Sequence, residues 1–259
     1  MMSSIDPIQL SPGKKVYFAS DFHLGAPDAA SSREREALLV QWLDEVSTDA
    51  AVIFLMGDIF DFWFEYPHVI PKGFVRFQGK LAQLRDAGLP IVFFTGNHDM
   101  WMFDYFKEEF GIPIYRKPQA LQINDTRFYL HHGDGLGDHD RMYKVLKVIF
   151  NNPVCQWLFK WLHPNVGMAI AQAWSRQSRL SHAGEEERFK GEDREWLLHY
   201  CKEIEAKEHF DYYVFGHRHL RLDLAVGERS QYINLGEWVT LQTYGVFDGE
   251  RFELLSYGK

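Results

Sequence analysis

The 259 residues predict a layered α/β fold in which a second sheet packs on the first, with a helical insertion lying between the two halves in sequence. Three observations carry that expectation. The first half repeats a unit of short apolar run, turn and helix-spaced segment; the second half alternates with period two; and the stretch between them is helical in pattern.

Taken in order, residues 16–19 form an apolar run that ends on Ser20, Asp21, Phe22 and His23, and residues 34–46 carry apolar side chains at helical spacing. Residues 52–56 then run into Gly57 and Asp58. Residues 74–87 are again helical in pattern, stopped by Gly88 and Pro90, and residues 91–94 run into Thr95, Gly96, Asn97, His98 and Asp99. From Gln122 onward strands are expected over 126–131, 211–215, 221–226, 231–235, 239–247 and 251–254, with Asp248-Gly249 as a hairpin turn. Residues 142–207 read as mostly helical, with Asn152 capping a helix whose first residue is Pro153. An insertion at about 138–207 would lie over the site.

Composition narrows the function. With 46% hydrophobic and 25% charged residues the chain is globular, and a net charge of -8 argues against nucleic acid as a partner. Cys155 and Cys201 are far apart and in no CxxC pair, so neither a disulfide framework nor a thiolate zinc site is expected. No secretory leader pattern and no run of about 18 apolar residues is present, so a cytoplasmic, non-spanning protein is the expectation. The charge is uneven: residues 141–184 hold Arg141, Lys144, Lys147, Lys160, Arg176 and Arg179 and no acidic residue.

Five polar clusters each follow an apolar run: Asp21-Phe22-His23, Gly57-Asp58, Gly96-Asn97-His98-Asp99, His131-His132-Gly133-Asp134 and Gly216-His217-Arg218-His219. Open α/β sheets gather ligand groups at strand ends, and two residues spaced by one can reach a single ion. Oxygen and imidazole donors without thiolate favour manganese, iron, zinc or magnesium. Alone, each cluster also reads as turn chemistry.

Together and in order, the clusters resemble the D-x-H, G-D, G-N-H-D, H-G-D and G-H-x-H signature of the calcineurin-like metallophosphoesterases. That resemblance implies a pair of mixed β-sheets flanked by helices, with residues 1–259 as one such domain. It implies one divalent ion on Asp21, His23 and His219, another on Asn97, His132 and His217, and Asp58 bridging both. His131 competes with His132, which stands next to Gly133-Asp134 as the motif requires. Asp58, Asn97 and His98 become the catalytic candidates, His98 at the phosphoryl or leaving-group side and Asp99 either orienting it or serving a turn.

A second resemblance, to the UDP-2,3-diacylglucosamine hydrolases of lipid A synthesis, rests on residues 55–63, on His132-Gly133-Asp134-Gly135-Leu136, and on residues 174–179. It implies cleavage of an acylated nucleotide sugar's diphosphate with manganese, and makes Asp140, Tyr143, Arg176, Gln177 and Arg179 substrate-binding candidates. His98 stands where better-known members have Arg, and Arg218 where they have Thr. In the insertion Leu146, Ile149, Phe150, Trp157, Leu158, Trp161 and Leu162 fall at helical spacing among Lys144, Lys147 and Lys160. They read either as an acyl-binding cap resting on an anionic membrane, at the inner face, or as packing onto the body. No obligate protein partner is expected. A phosphoesterase acting on a soluble diester, phosphoprotein or nucleic acid, and a non-enzymatic scaffold, are the alternatives.

Overall fold

The computed structural model describes residues 3–137, 141–182 and 188–258, apart from the side chains at 3, 141–143 and 176–182. The elements run β1 (Ser3–Ser4), β2 (Lys15–Ala19), α1 (Ala29–Val46), β3 (Ala50–Leu55), α2 (Val75–Asp86), β4 (Ile91–Phe94), α3 (Tyr105–Phe110), β5 (Ile114–Tyr115), β6 (Gln119–Ile123) and β7 (Thr126–Leu130). Then follow α4 (Arg141–Phe150), α5 (Pro153–Lys160), α6 (Pro164–His182), α7 (Trp196–Glu205), β8 (Tyr212–Phe215), β9 (Arg221–Ala225), β10 (Gln231–Leu235), β11 (Thr243–Phe247) and β12 (Phe252–Ser256). Among the described residues they build two six-stranded sheets, ordered β1-β6-β7-β8-β10-β9 and β12-β11-β2-β3-β4-β5. Both are mixed: β2 to β5 are parallel beside antiparallel β11, and β7, β8 and β10 are parallel beside antiparallel β6 and β9.

Strand alternation assigns the layers. Val16, Phe18, Val52, Phe54, Val92 and Phe94 point from one sheet toward Phe128, Leu130, Val214, Ile233 and Leu235 of the other, making the core between the sheets. Their neighbours Tyr17, Ala19, Ile53, Leu55, Ile91 and Phe93 face the opposite way, onto Leu39, Trp42 and Leu43 of α1, Phe77 and Leu81 of α2, and Phe106 of α3. On the far side Tyr129, Tyr213, Phe215 and Tyr232 pack on Leu197, Leu198 and Cys201 of α7. Thus α7, although inside the helical stretch, covers a sheet, while α4 to α6 lie over loops through Phe150 and Phe159 against Phe62, Phe64 and Trp101.

Several boundaries differ from the expectation, each for a local reason. α1 begins at Ala29 because Asp28 caps it, accepting from the Ala30 and Ser31 amides at 2.8 and 3.0 Å. Residues 239–242 turn instead of extending into β11, because Glu237 accepts from the amides of Val239, Thr240 and Leu241. α3, β5 and β6 are absent from the sequence reading; the first two are short. α3 has no cap of its own: buried Glu65 reaches across, and its Oε2 accepts from the Phe103, Asp104 and Tyr105 amides at 2.7, 2.7 and 3.2 Å.

Replacing Glu65 takes the acceptor from those part-buried amides and strands the buried Trp63 Nε1–H, which donates to Glu65 Oε1 at 3.0 Å. Glu65→Ala is expected to lower the unfolding free energy by about 2–3 kcal/mol in urea titration; a change below about 0.5 kcal/mol would show that the remote cap does not matter.

Candidate metal centre

The loops after β2, β3, β4, β7 and β8 meet at the C-terminal ends of these parallel strands, and bring the five polar clusters to one place. The backbone there is strained. Among the described residues eight non-glycine positions have left-handed φ, and five are Asp21 (56°), His23 (44°), Asp58 (52°), His217 (68°) and His219 (52°). A side chain resists that region by about 1–3 kcal/mol, so five such turns at one site imply a use for the geometry.

Two groups of donors share Asp58. On one side a ligand atom each from Asp21, His23, Asp58 and His219 lies within 4.8 Å of the others. His23 Nε2 and His219 Nε2 face one another at 3.0 Å, and Asp21 Oδ1 is 3.2 Å from His219 Nε2 and 3.8 Å from His23 Nε2. On the other side Asn97 Oδ1 lies 2.9 Å from His217 Nδ1 and 3.3 Å from His132 Nε2. Asp58 Oδ2 stands between, 3.9 Å from His23 Nε2 and 3.4 Å from His132 Nε2. The structure thus turns His132 toward this centre, while the Nδ1 of His131 accepts from the Gly133 amide of its own loop at 3.0 Å.

The electrostatics suit cations. Asp21 and Asp58 are buried, which alone would raise their pKa values, yet both are lowered: Asp21 chiefly by the bond to His219, Asp58 chiefly by the charge of His132. Burial opposes a proton on His132 too, but the Asp58 carboxylate outweighs it and pushes its pKa up to about 10. The field that favours a proton there equally favours a divalent ion. Burial depresses His23 and His217 to about 3, so each is neutral with a lone pair to donate. Asp21 Oδ1 is buried and faces only the imidazoles of His219 and His23, at 3.2 and 3.8 Å and outside good hydrogen-bond geometry, a position a metal ion would satisfy. His132 Nδ1 faces the Met56 carbonyl at 2.8 Å, which fixes the proton on Nδ1 and the lone pair on Nε2. These residues fit divalent ions with oxygen and nitrogen preference.

Around this centre Asp99 and His98 have contacts other than those expected, and Asp61, Arg35 and Glu195 are residues to which the sequence reading gave no role. Asp99 does not orient His98; its carboxylate accepts from the Gly96, Asp58, Ile59 and Phe60 amides at 2.7, 3.3, 2.7 and 3.4 Å, tying two loops together. His98 instead meets Asp61: its Nδ1 lies 3.0 Å from the Asp61 carbonyl and 3.8 Å from Oδ1, and its amide donates to Asp58 Oδ1 at 2.8 Å. Buried Arg35 donates to the Phe22, His23 and Ala26 carbonyls at 2.6, 2.7 and 2.5 Å, bracing the first loop. Arg218 pairs with buried Glu195 through Nε and Nη2, both at 3.1 Å. The one signal for Asp61 was its place three residues after Asp58; a buried arginine such as Arg35 leaves none.

The lysines of α4 and α5 are spent on the body. Lys147 bonds Asp134 Oδ2 at 2.6 Å, Lys144 donates to the Gly137 carbonyl, and Lys160 lies 5.0 Å over the Phe103 ring. Phe150 and Phe159 also turn inward, whereas Trp157, Leu158 and Trp161 do not: eleven of the sixteen exposed large apolar residues described lie in α4 to α6 and their links, Trp161 being 75% exposed. Asp140 lies outside the described residues. Tyr143 falls in α4, and Arg176, Gln177 and Arg179 in α6, with side chains outside the description.

Two glycines admit Asp58 to its place. A Cβ on Gly57, at φ 98°, would stand 2.6 Å from His132 Nδ1, and one on Gly96 would stand 2.1 Å from Asp58 Oδ1. Gly96→Ala, whose Cβ would also stand 2.6 Å from the Asp58 backbone nitrogen, is expected to displace the Asp58 loop and cut manganese affinity at least about tenfold in titration of the apo protein; unchanged affinity would count against Asp58 as a ligand.

A family model described as calcineurin-like phosphoesterase matches residues 14–221. A UDP-2,3-diacylglucosamine hydrolase of Porphyromonas gingivalis is 37% identical over 255 residues, covering 93% of this chain and 97% of that protein. A protein of the same name from Actinobacillus succinogenes is 24% identical over 224 residues, 86% of this chain and 92% of its own. Among solved structures, Yfce, a phosphoesterase from E. coli, aligns with 94% of this chain and 93% of its own at 16% identity and a TM-score of 0.45, too remote to carry an argument. With the model match spanning most of its length and a relative above 30% identity along nearly all of it, the chain belongs to the calcineurin-like phosphoesterase family.

Proposed function

We propose that this family member is a two-metal hydrolase that splits the diphosphate of UDP-2,3-diacylglucosamine into UMP and 2,3-diacylglucosamine 1-phosphate, a step of lipid A biosynthesis. Manganese is the ion we assign, and the cytoplasmic face of the inner membrane the place of action. The substrate comes from the name of the relative 37% identical over 255 residues. The observation that carries the chemistry is the Asp58 carboxylate turned to both histidine groups, 3.9 Å from His23 and 3.4 Å from His132.

In this reading Asp21, His23 and His219 hold one ion, Asn97, His132 and His217 the other, and Asp58 both. Ions held there supply hydroxide near neutral pH and neutralise charge on the phosphoryl oxygens. The oxygen of one water, its proton lost to solvent, adds to the α-phosphorus while the bond from that phosphorus to the bridging oxygen breaks; the bridging oxygen keeps the electron pair and departs as part of the acylated sugar phosphate. That leaving group is a phosphate monoester and needs little acid help. The Nδ1–H of His98 donates a hydrogen bond to the Asp61 carbonyl at 3.0 Å, so a hydrogen bond from this ring to a phosphoryl oxygen would use an Nε2–H. Asp140, Tyr143, Arg176, Gln177 and Arg179 are assigned to the nucleotide sugar. Supporting that, Ser175, just before Arg176, reaches the loop of Asp61 with a 2.9 Å bond.

The acyl chains and the membrane are assigned to the exposed apolar face of α4 to α6. Among the described residues no helix is long and apolar enough to cross a membrane, so contact would be with the surface. Lys144, Lys147 and Lys160 are engaged with the body, so we assign the attraction of the described face to its apolar side chains. A Trp157→Ala, Trp161→Ala double variant is expected to lose flotation with phospholipid vesicles, while raised salt changes binding of the unaltered protein only a few-fold. Retained flotation of the variant would remove this face from the membrane.

For the reaction, apo protein reconstituted with manganese is expected to release UMP from UDP-2,3-diacylglucosamine, and Asp58→Ala to abolish release. His98→Ala is expected to lower kcat about 10²–10⁴-fold, and His98→Arg, whose guanidinium can pair with Asp61, to retain more activity. Turnover of a soluble diester alone would preserve the site and discard the lipid substrate.

A further inference from the structure

We infer that α6 positions His98 through Ser175 and Asp61, so that the seating of the helical cover fixes the orientation of the imidazole at the reaction centre. The inference rests on the role proposed above for His98.

The hydrogen-bond directions admit one arrangement. The Asp61 carbonyl can only accept, so the facing His98 Nδ1, 3.0 Å away, carries the proton. Ser175 Oγ lies 3.3 Å from the same Nδ1 and 2.9 Å from Asp61 Oδ2. A carboxylate has no proton to give, so the hydroxyl donates to Asp61 and accepts from His98 as the second partner of a shared N–H. The hydroxyl, the carboxylate and the ring then form one chain, and the other ring nitrogen is left for substrate. Asp61 Oδ1 also lies 3.6 Å from His23 Nδ1, behind a ligand position of the first ion.

α6 is shaped to make this approach. Its inward face carries Gly167, Ala171 and Ser175, one every fourth residue, all buried, while Ile170 and Trp174 are about half exposed. A Cβ on Gly167 would stand 2.4 Å from the Tyr66 hydroxyl, so only glycine lets the helix come this close. Ser175 is 4% exposed, and a buried hydroxyl at the end of a stripe of small residues brings a polar contact from a helix whose other described residues are largely apolar or in solvent. Whatever shifts α6, acyl chains entering beneath the cover included, moves one of the two partners of His98 Nδ1.

The test is a double-mutant cycle between Ser175→Ala and His98→Ala in the manganese-loaded enzyme, with UDP-2,3-diacylglucosamine and, in parallel, bis(p-nitrophenyl) phosphate. Ser175→Ala is expected to lower kcat about tenfold with KM within about twofold and metal content unchanged, and to add less than about twofold in the His98→Ala background. In zinc-loaded protein, ¹⁵N spectra are expected to show His98 protonated on Nδ1, where the Asp61 carbonyl holds it, and Ser175→Ala to move and broaden the His98 ring resonances as Nδ1–H loses its second acceptor. A rise in KM alone would make Ser175 a substrate contact, and an equal loss in both backgrounds would make its effect independent of His98; either overturns the coupling, as do unchanged His98 shifts. Wild-type turnover confined to the diester would sink the lipid substrate, while the cycle on the diester still decides the coupling.

Discussion

Burying the carboxylates of Asp21 and Asp58 a few ångströms apart is the constraint on which the rest of this structure depends. Each is almost wholly out of water, and each would lose its charge there unless opposite charge or donors were brought to it. Histidines from both sheets answer that demand, His23 from the first half and His132, His217 and His219 from the second. They can do so only if strand ends of the two sheets come together, and the shared apolar layer between the sheets holds those ends in register. Removal of either sheet's loops would leave Asp58 with half its partners.

The same demand explains the buried groups that touch no substrate. A loop with two left-handed residues, Asp21 and His23, does not hold itself, and Arg35 ties down three of the carbonyls around His23 while Asp99 gathers amides from the loops after β3 and β4. Asp99 sits beside Asp58, and burial together with that neighbouring charge raises its pKa to about 7 despite the amides around it. Glu195 and Arg218 do the equivalent work for the last loop, linking the start of α7 to the stretch between His217 and His219. The Arg that breaks the family's usual last motif therefore faces away from the centre, into a buried ion pair.

How legible all this was in the sequence follows from range. Strands that end in polar residues, and the helices between them, announce themselves by local period, and β4 and β10 fall where the pattern puts them. The candidate metal residues were legible as a set because five short motifs recur in order, each with its own glycine or histidine spacing. Groups that act through distant backbone were not: Glu65 caps a helix some forty residues away, and no local pattern marks an acid for that task. Lys147 was visible as part of a basic island, but its partner Asp134 lies across a loop, so charge counting left it open between a membrane and the body, and the fold places it on the body.

That reassignment changes what the insertion is. With the lysines of α4 and α5 engaged below and Trp157, Trp161 and Trp174 exposed above, the cover is polarised: charge fastens it to the catalytic body, and apolar area is left for an apolar guest. Such an arrangement separates two tasks that the amphipathic pattern alone runs together. The inward contacts, Lys147 with Asp134 and Ser175 with Asp61, end on loops that also carry His132 and Asp58, so movement of the helices is transmitted to both halves of the centre at once. A cover bound by apolar packing alone would slide with little directional preference, because dispersion contacts are weakly oriented. Hydrogen bonds and ion pairs at fixed points instead define one seated position, and that gives the outer surface a means to report its occupant to the reaction centre.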